Sequence, residues 1–162
     1  FLNMAVRENL VISTLPEISR FSFVNFRRAD QLAREFVGKL KIRTPSVRQL
    51  VRNLSGGNQQ KVIIARWLTL KPRILILDEP TRGIDVATKA EIHALMNDLA
   101  KEGVAVMVVS SDLPEVLGVS DRILVMRSGR VVAEFSRQEA SQDNIMHAAT
   151  TGRENNAQQR AQ

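Results

Sequence analysis

Two stretches of the chain carry residue types that could do chemistry. The first, Asn53-Leu54-Ser55-Gly56-Gly57-Asn58-Gln59-Gln60-Lys61, sets two adjacent glycines, a hydroxyl and a row of amides directly before a run that reads as helix, Val62 to Leu68. A helix start leaves its first N–H groups unpaired and carries the positive end of the macrodipole. Glycines there let the backbone approach a phosphate, and Ser55 adds its hydroxyl. The plain alternative is a loop capped by Ser or Asn. In the second stretch, Asp78 and Glu79 stand side by side where the apolar run Ile74 to Leu77 ends. Such a pair can divide the labour of nucleotide hydrolysis. Asp78 would hold Mg²⁺, directly or through water, as a hard oxygen ligand. Glu79 would orient or deprotonate the attacking water. The alternative here is a polar strand exit feeding a turn at Pro80.

The elements that must position these groups follow from periodicity. Met4 to Ile12 reads as a short amphipathic helix, followed by a turn around Pro16. Ala33, Phe36, Val37 and Leu40 fall at i, i+3, i+4 and i+7, which predicts a helix over Asp30 to Leu40 with one buried face. Pro45 breaks that pattern, and Arg43 to Asn53 forms a connector. The first third is therefore expected to be helical, without a sheet of its own. Beyond Lys71 the character changes. The run Arg73 to Leu77 suits a strand buried on both faces of a parallel sheet. Ile92, Leu95, Met96 and Leu99 predict a covering helix over Asp85 to Lys101, with Asp85 as N-cap and Gly103 as stop. Ala105 to Val109 is expected as a second buried strand. Asp112-Leu113-Pro114-Glu115 resembles a capping box opening a short helix that ends near Gly118. Strand, helix, strand, helix argues for an α/β unit with right-handed crossovers. Arg122 to Met126 and Val131 to Phe135 flank Ser128-Gly129 as a hairpin, and Ser141 to Thr150 reads as a last helix.

Bulk properties narrow the classes. The 162 residues suffice for one domain with a core. No apolar run is long enough to cross a bilayer, nothing at the start resembles a signal peptide, and without cysteine there is neither a disulfide framework nor a thiolate metal site. The net charge of +6 raises nucleic acid as a partner. The arginines are mostly scattered, however, and with no tyrosine there is little aromatic surface to stack on bases. No nucleic-acid partner is expected.

Together the two stretches resemble the ATP-binding cassette ATPases. Leu54 to Gln60 resembles the family's signature motif, and Leu75 to Thr81 resembles its Walker B strand. Arg82-Gly83-Ile84-Asp85 falls where the family keeps its D-loop, with Asp85 the matching aspartate. The wording of Asn58 to Lys61, Thr81 to Asp85 and Val109 to Glu115 is similar to the second cassette of the tandem ATPases that drive ribose-type sugar import in bacteria. The resemblance runs from about Met4 to about Gly152. It implies an α/β fold: part of a P-loop NTPase-type nucleotide-binding domain over residues 1–152, with a parallel-sheet core, a helical subdomain and a C-terminal β-hairpin. Residues 1–70 would form the helical, signature-bearing part, 71–152 part of the Walker B core, and 153–162 a disordered tail.

The resemblance also implies ATP and Mg²⁺ as cofactors and a nucleotide sandwiched between two cassettes. Ser55, Gly56, Gly57, Asn58 and Gln59 would serve ATP held by the opposing cassette. Asp78, as Mg²⁺ ligand, and Glu79, as catalytic base, would serve this cassette's own site, and Asp85 would reach across the seam. Membrane permease subunits and, indirectly, a periplasmic sugar-binding protein are the implied partners. The implied location is peripheral, on the cytoplasmic face of the inner membrane.

Two departures qualify this. No Gly-x-x-x-x-Gly-Lys-Ser/Thr is present, and Gly38-Lys39 lies inside a predicted helix as a surface pair. The chain is therefore expected to begin partway through a cassette and to be inactive alone. Where the family commonly has a histidine contacting γ-phosphate, this chain has Ser111, which cannot titrate near neutral pH. His93 and His147 lie in predicted helices, His93 at a surface or boundary. Hydrolysis at the chain's own site is thereby in question; the alternatives are a weakly active regulatory half and, favoured only by the basic charge, a non-transport cassette ATPase acting on nucleic acid.

Overall fold

A computed structural model of the protein describes residues 1–20 and 23–152. The expected tail at 153–162 lies outside the described residues. The chain divides into two compact units, Phe1–Met107 and the part from Val108 onward, with the division inside a strand.

The first unit opens with α1 (Val6–Val11), a 3₁₀ turn (Ile12–Thr14) and α2 (Leu15–Ile18). The single helix expected over Met4 to Ile12 is thus shorter and followed by another. Pro16 lies in the first turn of α2, where its missing N–H costs nothing. The expectation of no sheet in this third is corrected by two short strands, β1 (Ser19–Arg20) and β2 (Phe23–Val24), paired antiparallel. Two-residue strands leave no period-2 pattern to read. Helix α3 (Phe26–Lys39) starts four residues before the predicted Asp30, because Asn25 caps it by accepting from Arg28 N at 3.1 Å. Gly38 and Lys39 close that helix, exposed, with Lys39 paired to Glu102 at 2.7 Å.

Helix α1 packs on α3 and on α4 (Gly56–Leu68). In α4 the residues Gly57, Lys61, Ile64, Ala65 and Leu68 are buried at helical spacing. Strand β3 (Ile74–Asp78) leads through a turn to α5 (Val86–Lys101) and then to β4 (Ala105–Val109), its hydrogen-bonded neighbour in a parallel sheet. Gly103, with φ of +89°, ends α5 as expected.

The expectation that both strands are buried on both faces is corrected. Leu75 and Leu77 are buried, but Ile74 and Ile76 are 65% and 64% exposed, and Met107 and Val109 are half exposed. A continuous apolar run is compatible with burial on two faces but does not supply the second cover. Among the described residues only one face of β3 is covered.

In the second unit α6 (Leu113–Val119) is followed by the hairpin β5 (Arg122–Arg127) and β6 (Arg130–Ser136) and by α7 (Gln142–Thr151). Ser128 and Gly129 both take positive φ, the geometry of a two-residue hairpin turn that matches strand twist. Ile123, Val125, Ala133 and Phe135 on one hairpin face form the core with Ile145 and Ala148 of α7.

Candidate functional site

The start of α4 is built by its own side chains. Ser55 occupies the N-cap position, yet its side chain makes no cap bond to the helix. Its Oγ instead accepts from Asn58 Nδ2 at 2.8 Å, and Asn58 Oδ1 accepts from Arg43 N at 2.7 Å. Gln59 Nε2 donates to Leu54 O at 2.9 Å. Asn58 and Gln59 therefore brace the loop from behind. Ser55 therefore leaves the first-turn amides of α4 uncapped by its own side chain, at a helix end that favours an anion. Ser55 and Gly56 are exposed there, while Gly57 is buried.

The same unit brings the loop after β3 against this helix start. A Cβ at Gly56 would lie 3.9 Å from Ile84 Cγ2 and 4.0 Å from Gly83 O. Asp85 follows, exposed, as N-cap of α5. It accepts from Thr88 N at 2.9 Å and from Thr88 Oγ1 at 2.7 Å. Those two bonds, the hydroxyl first, hold the Asp85 carboxyl below the usual aspartate range.

One turn further along both helices, Lys61 Nζ meets Glu91 Oε2 at 2.7 Å and Lys41 O at 3.3 Å. Arg43 reaches the other Glu91 oxygen at 3.3 Å. The Lys61 hydrogen bond is the main cause of a lowered Glu91 pKa. Lys61, 3% exposed, was not singled out from the sequence. A lysine on the buried stripe of α4 is the signal that could have found it, because a buried ammonium needs a partner.

Asp78 ends β3 with an exposed side chain. Glu79 follows with φ of +47°, a left-handed backbone that a residue with a Cβ adopts at a cost. Pro80 and Thr81 behind it are fully buried and anchor the turn. The described residues hold no group of three or more His, Asp or Glu side chains placed for a metal. That excludes a protein cage but suits Mg²⁺, which takes one carboxylate together with substrate phosphates and waters. Asp78, exposed at the strand exit, is a candidate for that carboxylate.

Ser111 belongs to the second unit and is exposed. Beside it Ser110 Oγ donates to the buried Glu115 at 2.5 Å and accepts from Asp112 N at 3.1 Å, and Asp112 caps α6. His93 is half-buried in α5, and His147 is exposed in α7.

Comparison with known proteins follows the same lines. The family profile described as "ABC transporter" matches residues 1–82. The chain is similar to the xylose import ATP-binding protein XylG of Thermoanaerobacter pseudethanolicus, with 53% identity over 150 residues, 93% of this chain and 30% of that protein. It is 51% identical over 148 residues to the ribose import ATP-binding protein RbsA of Rhodopirellula baltica, covering 91% of the chain and 29% of the relative. The chain thus spans about 30% of the length of the curated relatives it matches. Among solved structures, the dimeric post-hydrolysis state of the ATP-binding cassette MJ0796 bound to ADP and Pi aligns with a TM-score of 0.70. Identity there is 28%, over 85% of this chain and 58% of that one. The ATP-binding cassette MJ1267 aligns with a TM-score of 0.72 at 24% identity, over 90% and 59%, a likeness of fold. With its signature start, β3 exit and matched fold, the chain belongs to the ABC transporter family.

Proposed function

We propose that residues 1–152 form part of the ATP-binding subunit of a bacterial importer for a simple sugar such as ribose, corresponding to the second cassette of a tandem ATPase. The uncapped start of α4 carries this reading. Ser55 and Gly56 lie exposed at a helix start that the N-cap side chain does not cap, an arrangement suited to the γ-phosphate of ATP on an opposing cassette. The names of the similar proteins, import ATP-binding proteins for ribose and xylose, support the substrate class.

In this reading Ser55, Gly56 and the α4 amides bind the opposing cassette's ATP, with Asn58 and Gln59 keeping the loop in shape. Asp85 lines the same seam. Glu79 positions and deprotonates the attacking water at the chain's own site, and Asp78 holds Mg²⁺. When bound, Mg²⁺ neutralises charge on the phosphate oxygens. Closure around γ-phosphate and reopening after hydrolysis would move the permease subunits, with a periplasmic sugar-binding protein delivering the sugar from the far side. The subunit would sit peripherally at the cytoplasmic face of the membrane. Among the described residues no helix is long and apolar enough to cross it.

Gly56→Asp in the full-length transporter tests this. A Cβ at Gly56 would make only ordinary van der Waals contact, 3.9 Å from Ile84 Cγ2, so the fold should survive while a carboxylate occupies the phosphate position. Coupled ATP turnover is expected to fall by at least about tenfold. Near-normal turnover counts against the reading.

A second reading is favoured by Ser111 alone: a regulatory half that closes but scarcely hydrolyses at its own site. Ser111→His would then raise turnover at that site, measured with the partner site disabled. No gain would leave the first reading in place.

A further inference from the structure

The two glycines at the start of α4 have different surroundings. Neither takes a positive φ, so backbone freedom does not explain either. A Cβ at Gly56 would meet nothing closer than 3.9 Å. A Cβ at Gly57 would lie 2.1 Å from Thr88 Cγ2 and 2.9 Å from both Thr88 Cβ and Oγ1. Real carbon atoms do not approach to 2.1 Å. Rotating Thr88 about χ1 would not relieve the clash, because its Cβ does not move with that rotation. The rotation is opposed besides, since the Thr88 hydroxyl is held by Asp85 at 2.7 Å and a β-branched side chain is stiff in a helix.

We infer that Gly57 is a glycine on account of Thr88 in the same chain rather than of the nucleotide. Thr88 is a positioning residue that holds the signature start and the Gly83-Ile84-Asp85 loop as one surface. The link runs from the Gly57 backbone to the Thr88 side chain, whose hydroxyl donates to Asp85 Oδ2 while the Thr88 N–H donates to Oδ1. It is repeated further along the same faces, where Lys61, four residues on in α4, meets Glu91, three residues on in α5. With α4 and α5 joined at two successive turns, a shift of Ser55 and Gly56 carries Asp85 with it. Of the glycine pair, Gly56 then serves the phosphate, and Gly57 sets where Gly56 stands.

The inference rests on the proposed ATPase function for its readout, and steric complementation tests it in the full-length transporter. Gly57→Ala is expected to lower ATP turnover by about tenfold. The double variant Gly57→Ala with Thr88→Gly, in which the obstructing side chain is gone, should recover to at least about half the turnover of Thr88→Gly alone. A double variant as inactive as Gly57→Ala, with the melting temperature of Thr88→Gly, overturns the inference, as does a fully active Gly57→Ala. Should Gly57→Ala fail to fold, the near-isosteric Thr88→Val decides. Loss of its hydroxyl bond to Asp85 should cut kcat about fivefold, with KM for ATP within about twofold. Unchanged kcat refutes the positioning role. Gly56→Asp in the same preparation separates the two claims. If it leaves turnover intact, the ATP-site reading fails; if it abolishes turnover while rescue fails, only the Thr88 inference does.

Discussion

Glu79 is strained in a way its neighbours explain. Pro80 and Thr81 are buried and fix the turn, leaving Glu79 in the left-handed region at a cost of about 1 kcal/mol or more. Such strain is tolerated where a side chain must be aimed, which fits a general base. Glu79→Gln keeps shape and strain but removes the proposed base. Phosphate release by the full-length transporter should fall about a hundredfold, and turnover within about twofold of wild type would favour the regulatory alternative. Asp85 makes a pH-dependent contribution of definite sign. Its folded pKa is depressed below the ordinary 3.8 by the Thr88 hydrogen bonds, so the stabilisation is fully present above that value and lost as pH falls through the folded one. Asparagine caps helices about as well without titrating. The urea midpoint of wild type relative to Asp85→Asn should therefore stay constant from neutral pH to just above 3.8 and drop below it. A difference that is flat through the acid range would exclude the Asp85 carboxylate as the source.

The pairing of α4 with α5 was only half legible in the sequence. Asp85 as N-cap, the apolar stripe of α5 and the glycine at its end could all be read, because each signal is local. The Gly57–Thr88 approach and the Lys61–Glu91 pair could not, since nothing in one helix states the register in which it meets another. The one-sided burial of β3 and the left-handed Glu79 escaped for the same reason: a neighbour decides both. The ion pair itself invites a comparison. Glu91→Gln leaves the 3%-exposed Lys61 ammonium without its carboxylate, whereas Lys61→Met replaces that ammonium by an apolar chain of similar length. Stranding a buried ammonium beside a half-exposed, uncharged partner costs more than replacing that charge by an apolar chain. Thermal unfolding should show Glu91→Gln lower by roughly 5 °C and Lys61→Met by clearly less. The reverse order would mean that Glu91 matters for something other than Lys61.

At the scale of the molecule, the motifs identified the family, but the strand faces show what motifs leave out. Ile74 and Ile76 are exposed although Arg73 to Leu77 reads as a run covered on both sides. The chain spans 58% of the MJ0796 cassette and about 30% of the import relatives. Its chemistry is divided accordingly. On the proposed reading, the start of α4 meets the far end of a triphosphate only when another cassette holds the nucleotide. In the proposed roles Asp78 and Glu79 would act only on a nucleotide cradled beside them, and no Gly-x-x-x-x-Gly-Lys-Ser/Thr cradle occurs in the 162 residues. General base and metal ligand are of no use without that positioning, because phosphoryl transfer is catalysed chiefly by holding the phosphates in place. The purified 162-residue chain, given ATP and Mg²⁺, should therefore release no more phosphate than its Gly56→Asp and Glu79→Gln variants. Magnesium-dependent release that either substitution removes would show that the chain assembles a working site by itself, and that phosphates can be cradled by residues outside the expected motif.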